Sequence, residues 1–197
     1  MELKTPSRVA AFDLGNVTGW ALLIDGKILS GYVSLSKTSD SPGMKFLKWR
    51  GFLRKMHDAC GGWDAVFYER AFQKGGYAAH AWGGYQAILQ GFCDETRVPY
   101  SSISAAQVKM YATGIGSASK DLVLLRVRER WSPSVVNTNE SDALALLYCA
   151  LDTIEVKAVL PPILANVVDP ADELCPTHRR VLVKGVCGEC VPIEVVP

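Results

Sequence analysis

The run Val9-Ala-Ala-Phe-Asp13-Leu-Gly15-Asn-Val-Thr-Gly19-Trp-Ala-Leu-Leu23 constrains the fold more than any other segment. Apolar residues lead to Asp13, glycines follow, and a second apolar run begins directly after. Short apolar runs bounded by turn residues read as buried strands. A carboxylate is thereby delivered at the end of a buried strand, with a tight turn leaving it accessible. That arrangement serves a metal site or a phosphate-handling loop, and the rest of the chain must decide between them.

Residues 8–14, 20–26 and 27–35 read as three strands, with Asp25-Gly26 supplying hairpin turn chemistry between the second and third. From Met44 to about Cys60 the period becomes helical, with Phe46, Trp49, Leu53 and Met56 on one face, and Gly61-Gly62 ends it. Asp64 to Glu69 is a short fourth strand that ends, like the first, in a carboxylate. A helix is expected over 78–96, a fifth strand over 98–104, and further helices over 105–112, 120–131 and 139–154. Three antiparallel strands followed by alternating β and α elements predict an α/β fold, a five-stranded mixed sheet flanked by helices. The prolines at 161, 162 and 170 mark a linker, so the expected division is a domain over 1–156, a linker over 157–172 and a small module over 173–197.

A formal net charge of +1 neither supports nor excludes a polyanionic partner, since carboxylates gathered around bound cations hide local positive character. The N-terminus lacks the apolar segment of a secretory signal, and no apolar run reaches the length of a membrane span. Of the 6 cysteines, Cys175, Cys187 and Cys190 crowd the C-terminus, a distribution that suits a reducing cytoplasm with one metal site.

Asp13 and Glu69 both terminate strands, so neighbouring strand positions would bring them to one sheet edge, and Asp142 lies at the start of the last long helix. Carboxylate oxygens suit Mg²⁺ or Mn²⁺, and two such ions support phosphodiester cleavage. Each acid also has a plain structural reading: Asp13 in a turn, Glu69 paired with Arg70, and Asp142 in a capping box with Asn139 as N-cap. Their joint order is more specific than any one of them.

Four stretches resemble the RuvC Holliday junction resolvases of the RNase H-like nuclease superfamily. They are Phe12-Asp13-Leu-Gly15 with Thr18-Gly19-Trp-Ala21, Tyr68-Glu69-Arg-Ala-Phe72, Gln107-Val-Lys109 followed by Gly114-Ile-Gly116-Ser-Ala-Ser-Lys120, and Asp142-Ala-Leu-Ala145. The resemblance spans about residues 8–154. It implies a dimeric, Mg²⁺-dependent (or Mn²⁺-dependent) endonuclease, with two ions at its active site, that nicks opposing strands of a four-way DNA junction. It implies Asp13, Glu69 and Asp142 as ligands, and Lys120 and position 139 as further members of the catalytic set. The family places a fourth ligand, Asp or His, three residues before the last Asp. Asn139 stands there, and Glu140 beside it is the other candidate. Phe72 matches an aromatic placed against bases near the crossover, with Lys74 in the loop that follows. Lys109 and Lys120 match basic positions near the DNA backbone, and Gly114 and Gly116 would let their loop lie close to phosphate. Arg126, Arg128 and Arg130 cannot all share one helix face, so at most a subset would touch DNA. The small residues of helix 78–92 fit either the family's dimer interface or close packing on the helix's own sheet.

Outside that resemblance, Cys175-Pro-Thr-His178 and Cys187-Gly-Glu-Cys190 form two ligand pairs with the spacing of a Cys₃His structural zinc site of zinc-ribbon type. The rival for the opening motif is the sugar-kinase, actin and heat-shock ATPase superfamily. It needs two such domains and a second phosphate loop, and this chain has neither. A nuclease acting on different branched DNA would keep the fold, and so would a junction-binding protein without catalysis. A bacterial or bacteriophage protein fits each of these functions.

Overall fold

The computed structural model describes residues 6–70 and 77–159. Its elements run β1 (Arg8–Asp13), β2 (Val17–Ile24), β3 (Lys27–Ser34), α1 (Met44–Ala59), β4 (Ala65–Arg70), α2 (Tyr77–Thr96), β5 (Tyr100–Ser104), α3 (Ala105–Thr113), α4 (Lys120–Arg130) and α5 (Thr138–Val159). The five strands form one sheet in the order β3-β2-β1-β4-β5. β1 pairs antiparallel with β2 and β2 with β3, whereas β1 and β4, and β4 and β5, pair in parallel. This is the expected mixed sheet. The β2–β3 turn has positive φ at Asp25 (48°) and Gly26 (83°), the geometry that makes Asp-Gly a hairpin turn.

Strand alternation divides the sheet into two faces. On one, Ala10, Phe12, Leu22, Val66 and Tyr68 form a core with Trp49 and Leu53 of α1 and Tyr85, Leu89 and Phe92 of α2. The Phe12 ring meets Trp49 and Trp63 edge-on, at 5.3 and 5.6 Å between centroids. Burying each such side chain contributes about 1.5–3 kcal/mol. On the other face, Val9, Ala11 and Ala21 are completely buried, and so are Ala143, Leu146, Leu147 and Ala150 of α5. Small residues on these central strands let α5 come close.

The layer on that second face is closed by stacked rings. Trp131 lies between Tyr111 of α3 and Tyr148 of α5, at 5.8 and 4.5 Å, with its plane nearly parallel to both. Arg130 covers Trp131 and donates to the carbonyls of Tyr111 and Ala112, the last turn of α3. Arg128 donates to the Val135 carbonyl and Arg126 pairs with Glu129. Arg128 and Arg130 therefore tie α4 to its neighbours, whereas the Arg126 pair is exposed and stays within the helix.

Most boundaries fall within a residue or two of expectation, β4 running to Arg70, one past Glu69, and β5 starting at Tyr100 rather than residue 98. Three differences bear on the site or the domain limits. β2 begins at Val17 rather than residue 20, because Thr18 folds back on Gly15 and brings the chain straight out of the turn into pairing. The helix expected from residue 139 starts at Thr138, and Asn137 is its cap: Asn137 Oδ1 accepts from the Glu140 amide at 3.0 Å, so Asn139 is not the N-cap and makes no capping box with Asp142. α5 continues to Val159, through positions 157–159 assigned to a linker. The sheet and the residues that pack on it form one unit, Pro6–Ala150. The remainder of the expected linker and the module at 173–197 lie outside the described residues. No described helix is long and apolar enough to cross a membrane.

Candidate active site

The parallel register of β1 and β4 pairs Ala11 with Phe67 and Phe12 with Tyr68. The next step along both strands places Asp13, the last residue of β1, beside Glu69, the last but one of β4, on the same face. On the other side of Asp13 the antiparallel register puts Gly19 opposite it. A Cβ built on Gly19 would meet the Asn139 carbonyl oxygen at 1.8 Å and Ala143 Cβ at 3.2 Å. The bare backbone of β2 is therefore the seat for the first turn of α5. That contact carries Asp142, one helical turn after Asn139, to the sheet end where Asp13 and Glu69 stand.

The turn after Asp13 is fixed from within. Thr18, fully buried, donates its hydroxyl to the Gly15 carbonyl at 2.7 Å and accepts from the Gly15 amide at 3.2 Å. The Tyr85 hydroxyl donates to Asn16 Oδ1 at 2.9 Å. Glu140, buried, is held on both oxygens: Ser30 of β3 donates to Oε1 at 2.8 Å and the Val136 amide donates to Oε2 at 3.0 Å. Its carboxylate ties α5 to the sheet edge and to the chain entering the helix.

Two lysines supply the positive charge. The box of Ser104 and Gln107 starts α3: Ser104 Oγ accepts from the Gln107 amide, and Gln107 Oε1 accepts from the Ser104 amide at 3.1 Å. α3 then carries Lys109 close enough for its charge to oppose the rise in the pKa values of Glu69 and Asp142. Ser119 caps α4, and Lys120, its first residue, pairs with Asp142 at 2.9 Å. Lys120 lies within the field of all three acids.

These cations do not neutralise the cluster. Burial, then repulsion from Glu69 and Asp142, pushes Asp13 up to about 8 against the opposing effect of Lys120. Burial and the Asp142 charge push Glu69 up to about 6. Asp142 is also raised, chiefly by burial, although both lysines oppose it. Lys120 is raised because attraction to the acids, Asp142 first, outweighs burial. A buried set of hard oxygen donors with surplus negative potential is the electrostatic condition under which a divalent cation replaces protons. The donor set fits Mg²⁺ or Mn²⁺, although among the described residues no group of three or more His, Cys, Asp or Glu converges tightly enough to ligate an ion directly.

The structure thus gathers Asp13, Glu69, Asp142, Lys109 and Lys120, with Asn139 against Gly19. Gly114 closes α3 as a left-handed C-cap with φ of 84°, and Gly116 lies against Ala106 and Met110 behind the loop. Phe72 and Lys74 fall outside the described residues, as do Cys175, His178, Cys187 and Cys190. Gly19 as a helix seat and the Glu140–Ser30 tether were not foreseen from the sequence. The signal for the cap was present, since Asn137-Thr-Asn-Glu140 is an N-cap residue followed three later by Glu.

No family model matches the sequence, and no curated protein matches it. Solved structures do. Thermus thermophilus RuvC aligns with 22% identity and a TM-score of 0.58, covering 76% of this chain and 95% of that one. T. thermophilus RuvC in complex with Holliday junction substrate gives 20% identity and a TM-score of 0.63, covering 77% and 95%. The yeast mitochondrial Holliday junction resolvase Ydc2 gives 13% identity and a TM-score of 0.52, covering 74% and 78%. At these identities the likeness is one of fold: the chain has the RuvC-like, RNase H-like architecture.

Proposed function

We propose that this RuvC-like chain is a metal-dependent endodeoxyribonuclease that resolves four-way DNA junctions by paired phosphodiester nicks. The observation that carries the reading is that Asp13, Glu69 and Asp142, from three separate elements, lie within one another's field and are under-neutralised by Lys109 and Lys120. Asp13, Glu69 and Asp142 would hold the ions. Asn139, one turn before Asp142, offers a neutral oxygen as the fourth position, while Glu140 already has partners on both oxygens. Divalent cations held there would supply activation of the attacking water and stabilisation of the leaving oxygen. Lys120, paired with Asp142 in the free protein, offsets part of the acids' charge and would turn to a phosphate oxygen when DNA arrives. Lys109 adds to the attraction of the backbone.

Paired nicks need two active sites, so the acting species would be a homodimer. α2 offers a surface for it: Gly83, Ala87 and Gly91, four residues apart, are exposed along one line, whereas Gly84 is taken up against Phe46 of α1. A structural zinc ion held by Cys175, His178, Cys187 and Cys190 would add a small C-terminal module, on the sequence spacing alone.

The test is cleavage of synthetic four-way, three-way and flap DNA with Mg²⁺, with Mn²⁺ and with EDTA. Metal-dependent symmetrical nicks confined to the four-way substrate are expected. Equal cutting of flaps would make the protein a nuclease of other branched DNA, and tight junction binding without any cutting would make it a binding protein.

A further inference from the structure

The loop that joins Lys109 to Lys120 contains a feature that charge alone does not explain. Ile115 is 50% exposed at its apex, and Met110, 42% exposed, lies against Gly116 beside it. Scattered exposed apolar residues are ordinary. This one is held rigidly by its backbone. The Ile115 amide donates to Thr113 Oγ1 at 3.0 Å, and the Ile115 carbonyl accepts from Ala118 N at 3.0 Å. The Thr113 hydroxyl is in turn shared between the carbonyls of Lys109 (2.8 Å) and Ile115 (3.1 Å). The left-handed Gly114 sets the reversal that lets this happen, and Ala118 is buried beneath. The backbone on both sides is thus fixed before any partner binds, leaving only the rotamer freedom of the apolar side chain to be lost.

Its surroundings select the occupant. The loop runs between two cations at the acid cluster: Lys120, directly after it, pairs with Asp142 at 2.9 Å, and Lys109, on α3 before it, lies within the field of Glu69 and Asp142. An apolar tip flanked by two cations matches a polyanion that also offers flat apolar surface, which is what stacked nucleobases behind phosphates present. Apolar side chains set into a base step unstack it, and the opening lets more of the backbone reach the protein.

We propose that Ile115, buttressed by Met110, is a wedge that enters the base stack next to the scissile phosphate and holds the strand open over Asp13, Glu69 and Asp142. The inference rests on the proposed DNA-cleaving role of that site.

The test uses the full chain carrying Asp13→Asn, which prevents cutting, and four-way junctions with 2-aminopurine at each position flanking the crossover in turn. Binding should raise fluorescence at one or two positions. Adding Ile115→Ser should abolish that rise and weaken junction binding roughly tenfold, with binding to linear duplex and the melting temperature unchanged. Ile115→Leu should restore the signal. A rise that persists in Ile115→Ser, or tight junction binding with no rise at any position, overturns the wedge. Failure of the Asp13→Asn chain to prefer junctions over duplex overturns the functional reading beneath it.

Discussion

The main-chain carbonyl of Asn139 rests on Gly19, in space that any side chain at position 19 would claim. This one contact joins the sheet to α5 at the row that holds Asp13. Gly19→Ala would set a Cβ 1.8 Å from that oxygen, and backbone cannot give way as a flexible side chain does. The first turn of α5 must shift. Overpacking of this kind costs about 1–3 kcal/mol. A displacement of about 1 Å at a reacting centre costs on the order of 10²-fold in rate. Denaturant melts and junction cleavage by Gly19→Ala should show both losses; a variant with wild-type cleavage would remove Gly19 from the positioning of Asp142.

Glu140 and Asn139 are neighbours with separate tasks. Glu140→Gln keeps the length of the side chain and loses the charge that Ser30 Oγ and the Val136 amide share. Removing a charge-assisted bond at a buried site should lower stability by about 1–3 kcal/mol. The Mn²⁺ concentration for half-maximal cleavage should stay within a few fold of wild type. A large rise in that concentration without loss of stability would instead make Glu140 the fourth ligand.

How much of this site was legible in the sequence differs from residue to residue. The acids could be read because alternation and length mark where a buried strand nears its end, and Asp13 and Glu69 lie one step beyond the last residues at which β1 and β4 pair with each other. Asp142 could be placed on a helix, but its approach to the sheet depends on Gly19, 123 positions earlier in the chain, and no local pattern links them. The Ser30–Glu140 bond is likewise long-range, and a serine in an edge strand carries no local sign of its partner. Helix ends resist placement to the residue where side chains compete to cap, as Asn137 and Asn139 do.

The raised acids make the metal-free protein pH-sensitive. Folded Asp13 titrates near 8 and Glu69 near 6, both above their unfolded values, so the native chain binds more protons than the unfolded chain between roughly pH 4 and pH 8. Stability must then fall as pH rises through that window. Asp64 sets the opposite limb: burial raises it, but amide donors from Arg8 and Ser7 outweigh that and hold it below the usual range, so its contribution is lost as pH falls through its folded value. In EDTA the melting temperature should peak in mild acid and decline toward pH 8, and Mg²⁺ or Mn²⁺ should remove most of the decline. A melting temperature that rises steadily from pH 5 to pH 8 would contradict the clustering of the acids.

Asp13→Asn separates chemistry from folding. Loss of one ligand should reduce cleavage by on the order of 10³-fold or more while junction binding persists. Because a repelled, buried charge is gone, the variant should melt higher than wild type in EDTA at pH 8. Normal cutting by this variant would place the chemistry elsewhere.

The C-terminal cysteines predict one tightly held zinc ion per chain. Elemental analysis of the native full-length protein after dialysis against EDTA should find it, and Cys187→Ser should lose it. A zinc-free native preparation would leave Cys175, His178, Cys187 and Cys190 without a shared role.

The parallel ladder between β1 and β4 has a consequence for how such a chain tolerates change. Because side chains alternate, inserting one residue within either strand would turn Asp13 or Glu69 to the wrong face, and inserting two would slide one acid about 6.6 Å past the other. The long stretch between β3 and β4, α1 included, bears no such restriction, since its length does not enter the pairing. Drift should therefore collect in that connection and leave the lengths of two short strands almost invariant, so that the two acids can stay side by side while the sequence around them changes.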